Sequence, residues 1–155
     1  MKGAWFKSCD SGRRFILKIS QGEDIHERLK AFAKEAEVKN AIIISGIGSV
    51  SDVKFRGIKS GAKLPLTPAR MRLHEDEGPL ELLALTGNLF PDENDEIDAH
   101  IHISMSKSSG EVIGGHVFEA KVFASCELLV SEIIVQGVER HISKSAGTAT
   151  IYIED

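Results

Sequence analysis

A chain of 155 residues, 42% hydrophobic and 27% charged, has room for one domain with a proper core. Its net charge of −4 and pI near 5.9 speak against a dedicated electrostatic nucleic-acid binder, which carries a basic excess. No run approaches the ~20 apolar residues of a membrane span, and Asp10, Arg13 and Arg14 precede any signal-like stretch, so a soluble, cytoplasmic protein is expected. Cys9 and Cys126 lie far apart and form no Cys-x-x-Cys motif, which suits two reduced thiols.

Arg14 to Ile19 suits a first strand. From Gly22 the period changes: Ile25, Leu29, Phe32, Ala33 and Ala36 fall on one face of an amphipathic helix. Glu23 and Asp24 are placed in its first turn, where carboxylates complement the helix dipole, and Lys39-Asn40 ends it. Ala41 to Ile44 and Val50 to Ile58 flank Gly46-Ile47-Gly48, so this region reads as two strands or as one with a glycine bulge. Gly46-x-Gly48-x-x-Ser51 is no dinucleotide loop, because the third glycine is missing and the following residues favour a strand.

Lys59 to Thr67 reads as a loop, Arg70 to His74 as a short strand, and Glu75 to Pro79 as an acidic turn. Leu80 to Leu89 is a long apolar strand, followed by an acidic loop from Pro91 to Glu96. Ile97 to Met105 and Val112 to Val135 are strand-like and are joined by a polar turn. Gly137 to Thr148 looks irregular, and Ile151 to Ile153 closes the chain as a short strand. Short turns between successive strands favour antiparallel pairing. The expected fold is α+β: one domain over residues 1–155, mainly antiparallel sheet with one packed amphipathic helix.

Three of the six histidines fall within seventeen positions. His100 and His102 stand two apart in a strand, so both point to one face, ~7 Å apart at the Cα atoms. If the hairpin centres on Ser109, opposed residues have numbers summing to 218, which sets His102 against His116. Three neutral imidazoles in a facial set bind Zn²⁺ at ~2.0–2.1 Å and leave a fourth position open. Asp98 shares that strand face as a candidate orienting carboxylate or a further ligand, and Glu81 is a second candidate near the site. Gly114 and Gly115 remove side chains just before His116, which permits close approach of backbone or ligand. His26, His74 and His141 lack this geometry and read as surface residues.

The chain resembles the plants and prokaryotes conserved domain. The resemblance runs over about residues 12–136 and rests on Gly22-Glu23-Asp24, Ser45-Gly46-Ile47-Gly48 and Leu80 to Asn88. It is strongest in His100-Ile101-His102-Ile103-Ser104 and Gly110 to Phe118. The resemblance implies a compact α+β domain that assembles as a homotrimer. Plant relatives join such a domain to AT-hook segments and act on AT-rich DNA. Some stand-alone prokaryotic relatives hold a metal through the histidines, here His100, His102 and His116. An AT-hook needs an Arg-Gly-Arg-Pro core; the nearest fragment in this chain is Phe55-Arg56-Gly57.

Three functions are carried forward: a trimeric zinc-binding domain that takes a small anion or metabolite, a DNA-associated module, and a metal-dependent hydrolase or hydratase. The last requires a proton-transfer group beside the metal, with Glu81, Asp98 and Glu119 as candidates. The second requires clustering of Arg13, Arg14, Lys18, Lys54, Arg56, Lys59 and Lys63 into one basic face.

Overall fold

The computed structural model describes residues 2–153. In chain order it contains β1 (Asp10–Ser20), α1 (Ile25–Glu35), β2 (Ala41–Ile58), a 3₁₀ turn (Pro68–Arg70), β3 (Met71–Pro91), β4 (Ile97–Ser106), β5 (Val112–Ile134), β6 (Val138–Ile142) and β7 (Ala149–Ile153). The main sheet has the order β1-β5-β2-β3-β4, and every pairing in it is antiparallel. β4 also pairs back onto β5, so β5, β2, β3 and β4 close a circuit with β1 attached outside it. Closure removes exposed strand edges. β6 and β7 form a separate antiparallel pair. The expected α+β class, mainly antiparallel with one α-helix, is what the chain adopts.

α1 forms because its apolar residues recur at helical spacing and because its start is capped. Asp24 is the N-cap, extended in backbone, with Oδ1 accepting from Glu27 N at 2.9 Å. Glu23 and Asp24 thus precede the first turn and do not sit inside it. Asp24 Oδ2 also accepts from Ala120 N at 2.8 Å, so one carboxylate caps the helix and fastens it to β5. Ile25, Leu29 and Ala33 are buried, and Phe32 meets Phe15 edge-on at 5.0 Å. Burial of Ile25 and of Leu29 stabilises by roughly 1.5–3 kcal/mol each. Leu29→Ala, which opens a cavity under the helix, costs about 2–5 kcal/mol.

The strands follow the period-two rule, with Ala99, Ile101, Ile103 and Met105 of β4 all buried on one face. Of three stretches that the sequence left open or misread, the first follows one of its two alternatives and the other two depart from it. Residues 41–58 are one strand, whose register against β5 shifts at Ile43/Ser45 and at Gly48/Val50. Of the two readings, the glycine-bulged single strand is therefore realised. A Cβ at Gly48 (φ +154°) would meet the Ser125 carbonyl of β5. Glu75 to Pro79 is no turn: β3 runs straight through it, with Glu75, Asp76 and Glu77 facing Lys54, Val53 and Asp52 of β2. A register shift at Val50/Asp52 takes up Gly78-Pro79, the kind of site where a strand tolerates proline. Lastly, Gly137 to Thr148 contains β6, whose inward residues are Val138 and Arg140. A buried arginine hides the apolar alternation by which a strand is read. Among the described residues no helix is long and apolar enough to cross a membrane.

Candidate metal centre

The turn between β4 and β5 fixes the site. Gly110 N donates to Lys107 O, and Lys107 N donates to Glu111 O, both at 2.9 Å. Gly110 has φ +86°, a left-handed value that glycine adopts without cost. The ladder then pairs Ser104 with Gly114 and His102 with His116, the register expected from the sequence. Ring centroids lie 5.0 Å apart for His100–His102, 5.1 Å for His100–His116 and 5.5 Å for His102–His116. His100 Nε2 and His102 Nε2 are 3.1 Å apart, and one ligand nitrogen from each of the three rings lies within 4.8 Å of the others. Two nitrogens bound tetrahedrally at ~2.05 Å stand ~3.3 Å apart, so the donor set fits a zinc-sized ion.

Burial, with nearby positive groups, favours the neutral form of two of these rings, His116 and His100. The His116 imidazole is pushed down to about 4, first by burial and then by the Arg56 guanidinium and the neighbouring imidazoles. His100 is also lowered, by burial, then by Arg140 and His102. A neutral imidazole is the form that ligates a metal.

The rings border a cavity of about 690 Å³, also lined by Arg56, Asp98, Phe118, Arg140 and His26. Asp98 stands where the sequence placed it, but its carboxylate meets Arg140: Oδ2 lies 2.7 Å from Nε. Arg140 also donates through Nη2 to Asn88 Oδ1, and Asn88 is the β3 residue opposite His100. Glu81 faces Ser106 on β4 and Ser49 on β2, four residues along β4 from His102, or ~13 Å at strand rise, and does not line the cavity. Glu119 pairs with Lys54 at 3.1 Å. The two glycines admit backbone: a Cβ at Gly114 would run into the Ile103 carbonyl, and one at Gly115 into the Arg56 carbonyl.

Three lining residues escaped the sequence reading. Arg56 lies directly opposite His116 in the β2–β5 ladder, with its guanidinium 5.3 Å over the Phe118 ring. That position is computable once the β2 register is known, and the bulges hide the register. His26 is no plain surface residue, since its Nε2 lies 3.2 Å from Ala99 O at the cavity wall. Arg140 arrives from β6 through a bridge between Asp92 and Arg140, and no local signal foretells it. His74 stacks on Phe55 at 5.0 Å, and His141 lies near Glu93 and Glu139, both away from the triad.

Comparison with known proteins yields relatives along most of the chain. A metal-containing protein from Archaeoglobus fulgidus is 27% identical and superposes with a TM-score of 0.82, over 95% of this chain and 98% of that one. The bifunctional protein GlmU of Synechococcus sp. (strain JA-3-3Ab) is 24% identical over 143 residues, 92% of this chain and 20% of that protein. AT-hook motif nuclear-localized protein 14 of Arabidopsis thaliana is 28% identical over 103 residues, 66% of this chain and 22% of that protein. This chain therefore spans about a fifth of the length of these curated relatives. The family model of the Plants and Prokaryotes Conserved (PCC) domain matches residues 6–134, and the chain belongs to that family.

Proposed function

We propose that this protein is a metal-binding member of its family, in which His100, His102 and His116 hold one divalent transition ion, zinc first, in a cytoplasmic homotrimer. The observation that carries the reading is the convergence of three imidazole nitrogens within 4.8 Å. Three neutral nitrogen donors without a thiolate suit zinc and leave a fourth position open to a small anion or metabolite. The Archaeoglobus fulgidus relative, itself named as metal-containing, supports it.

Elemental analysis of untagged protein tests the assignment. The expected result is one zinc per chain, lost in His116→Ala; stoichiometric metal that survives the substitution overturns it. The trimer is supported by apolar side chains left exposed on the main sheet, among them Ile16 at 90%, Ile44, Ile47 and Leu83. Sedimentation equilibrium is expected to give three times the 16.9 kDa chain mass, and a monomer overturns that part.

Binding is favoured over catalysis because each carboxylate candidate is engaged or remote: Asp98 by Arg140, Glu119 by Lys54, Glu81 along the strand. A bound zinc ion would supply Lewis acidity, yet no free carboxylate stands beside the triad among the described residues. Kinship with AT-hook proteins motivates a DNA role. Two of the basic candidates are nevertheless paired with carboxylates, Arg13 with Glu132 and Lys54 with Glu119. No retardation of AT-rich duplex is expected in a gel shift at physiological salt.

A further inference from the structure

The metal reading leaves a charge problem at the site. Arg56 and Arg140 line the histidine cavity with Asp98 as the single carboxylate, so the walls carry one net positive charge before any metal arrives. A divalent ion adds two more. This accumulation occurs on a chain whose overall charge is −4. Concentrated like charge destabilises a site unless a counter-charge enters it.

The two guanidiniums have donors to offer. Arg140 is 3% exposed, and its fork is only partly used: Nε faces Asp98 and Nη2 donates to Asn88. Among the described residues no acceptor takes the Nη1 hydrogens of Arg140, and the guanidinium of Arg56 has no acceptor at all. Arg56 is instead held over the Phe118 ring by its cation–π contact, which leaves its N–H groups open. Much of the remaining wall is carbon, from Ile58, Leu66, Met71 and Val117, with Thr148 and His26 as further polar side chains. A cavity of about 690 Å³ with apolar walls and a few placed polar groups has the proportions of a small-molecule site.

We propose that Arg56 and Arg140 make this cavity a receptor for a small organic carboxylate, held by the two guanidiniums beside the metal. The proposal rests on the metal reading and adds the ligand class and the residues that select it. Planar guanidiniums match a carboxylate with two parallel N–H···O contacts. The apolar walls favour a short hydrocarbon tail over a fully hydrated inorganic ion, and no other group at the site supplies the missing negative charge.

Isobutyrate and isobutyramide have the same shape and differ in charge, which makes them suitable probes. Zinc-loaded protein is titrated calorimetrically with each, and with inorganic phosphate, while zinc content is read on the same sample. Isobutyrate is expected to bind at least about tenfold tighter than the amide and tighter than phosphate. Arg56→Gln is expected to remove most of that preference with zinc content unchanged. Arg140→Lys keeps the charge but loses the fork, and should weaken isobutyrate binding more than it lowers the melting temperature. If Arg140→Lys does not fold, Arg56→Gln alone decides. Equal affinity for acid and amide overturns the proposal, as does an unchanged preference in Arg56→Gln. Tighter binding of phosphate overturns the organic class. A protein with full zinc and no carboxylate preference overturns this inference alone, whereas one that takes up no zinc overturns the metal reading with it.

Discussion

Two hairpins meet at the histidine cavity, β4–β5 and β6–β7, and they reach it by different physics. β4–β5 brings His100, His102 and His116 together through strand alternation and one glycine turn, all within seventeen residues. β6–β7 brings Arg140, which depends on a bridge to Asp92, an ion pair to Asp98 and a hydrogen bond to Asn88, all distant in sequence. Where local geometry alone assembles a group of side chains, the assembly can be read along the chain. Where docking assembles it, the partner strand must be known first.

The sharpest way to break the comparison is to remove a ligand from the local hairpin. His102→Ala or His116→Ala is expected to lower zinc affinity by roughly 100-fold or more, since even the partners that merely orient ligands are worth 10–100-fold. Competition against a calibrated chelator reads it. Next comes the backbone that sets the register. Gly115→Ala forces a Cβ against the Arg56 carbonyl and, at 3.1 Å, the Phe55 ring, and should cost about 2–3 kcal/mol in urea unfolding.

The docked hairpin should respond less. Arg140→Met strips Asp98 and Asn88 of their partner. Because the Asp98 side chain is 42% exposed and can rehydrate, a loss of about 2 kcal/mol is expected, below that of a fully buried pair. Weak retention of zinc in Arg140→Met would show that the second hairpin does more than orient its neighbours.

Acid titration sharpens the same contrast in metal-free protein. The folded state holds His116 at about 4, below its ordinary 6.5, so the unfolded chain takes up the proton first. This contribution to stability is complete above pH ~6.5 and is lost as pH falls toward 4, with no further loss below. The urea midpoint should fall across that window in the wild type and fall less in His116→Asn. The smallest effect belongs to Glu81. Glu81 lies on β3 opposite Ser106, which stands four residues along β4 from His102, so Glu81→Gln should leave zinc affinity within about twofold by the same chelator competition.

Particular residues show why some of this was legible and some was not. Leu29 and Ile25 announce a helix because helical spacing is a property of adjacent turns. His102 and His116 announce their pairing because a short polar turn leaves little freedom in register. Glu75-Asp76-Glu77 misleads, since acidic residues beside Gly78-Pro79 look like a turn until Lys54 and its strand lie across from them. Val138 and Arg140 mislead in the opposite sense, because a buried guanidinium interrupts the apolar alternation while the strand persists.

The sequence by itself determined the helix, the period-two strands and the meeting of three imidazoles, because these follow from local spacing and turn chemistry. Only the tertiary structure decided that β4 closes on β5 while β2 sets Arg56 beside His116. It alone decided, too, that Arg140 enters the cavity from the far end of the chain. Those outcomes depend on bulge positions and on contacts between residues scores apart, whose free energies are set by the assembled packing and not by any neighbouring stretch of chain.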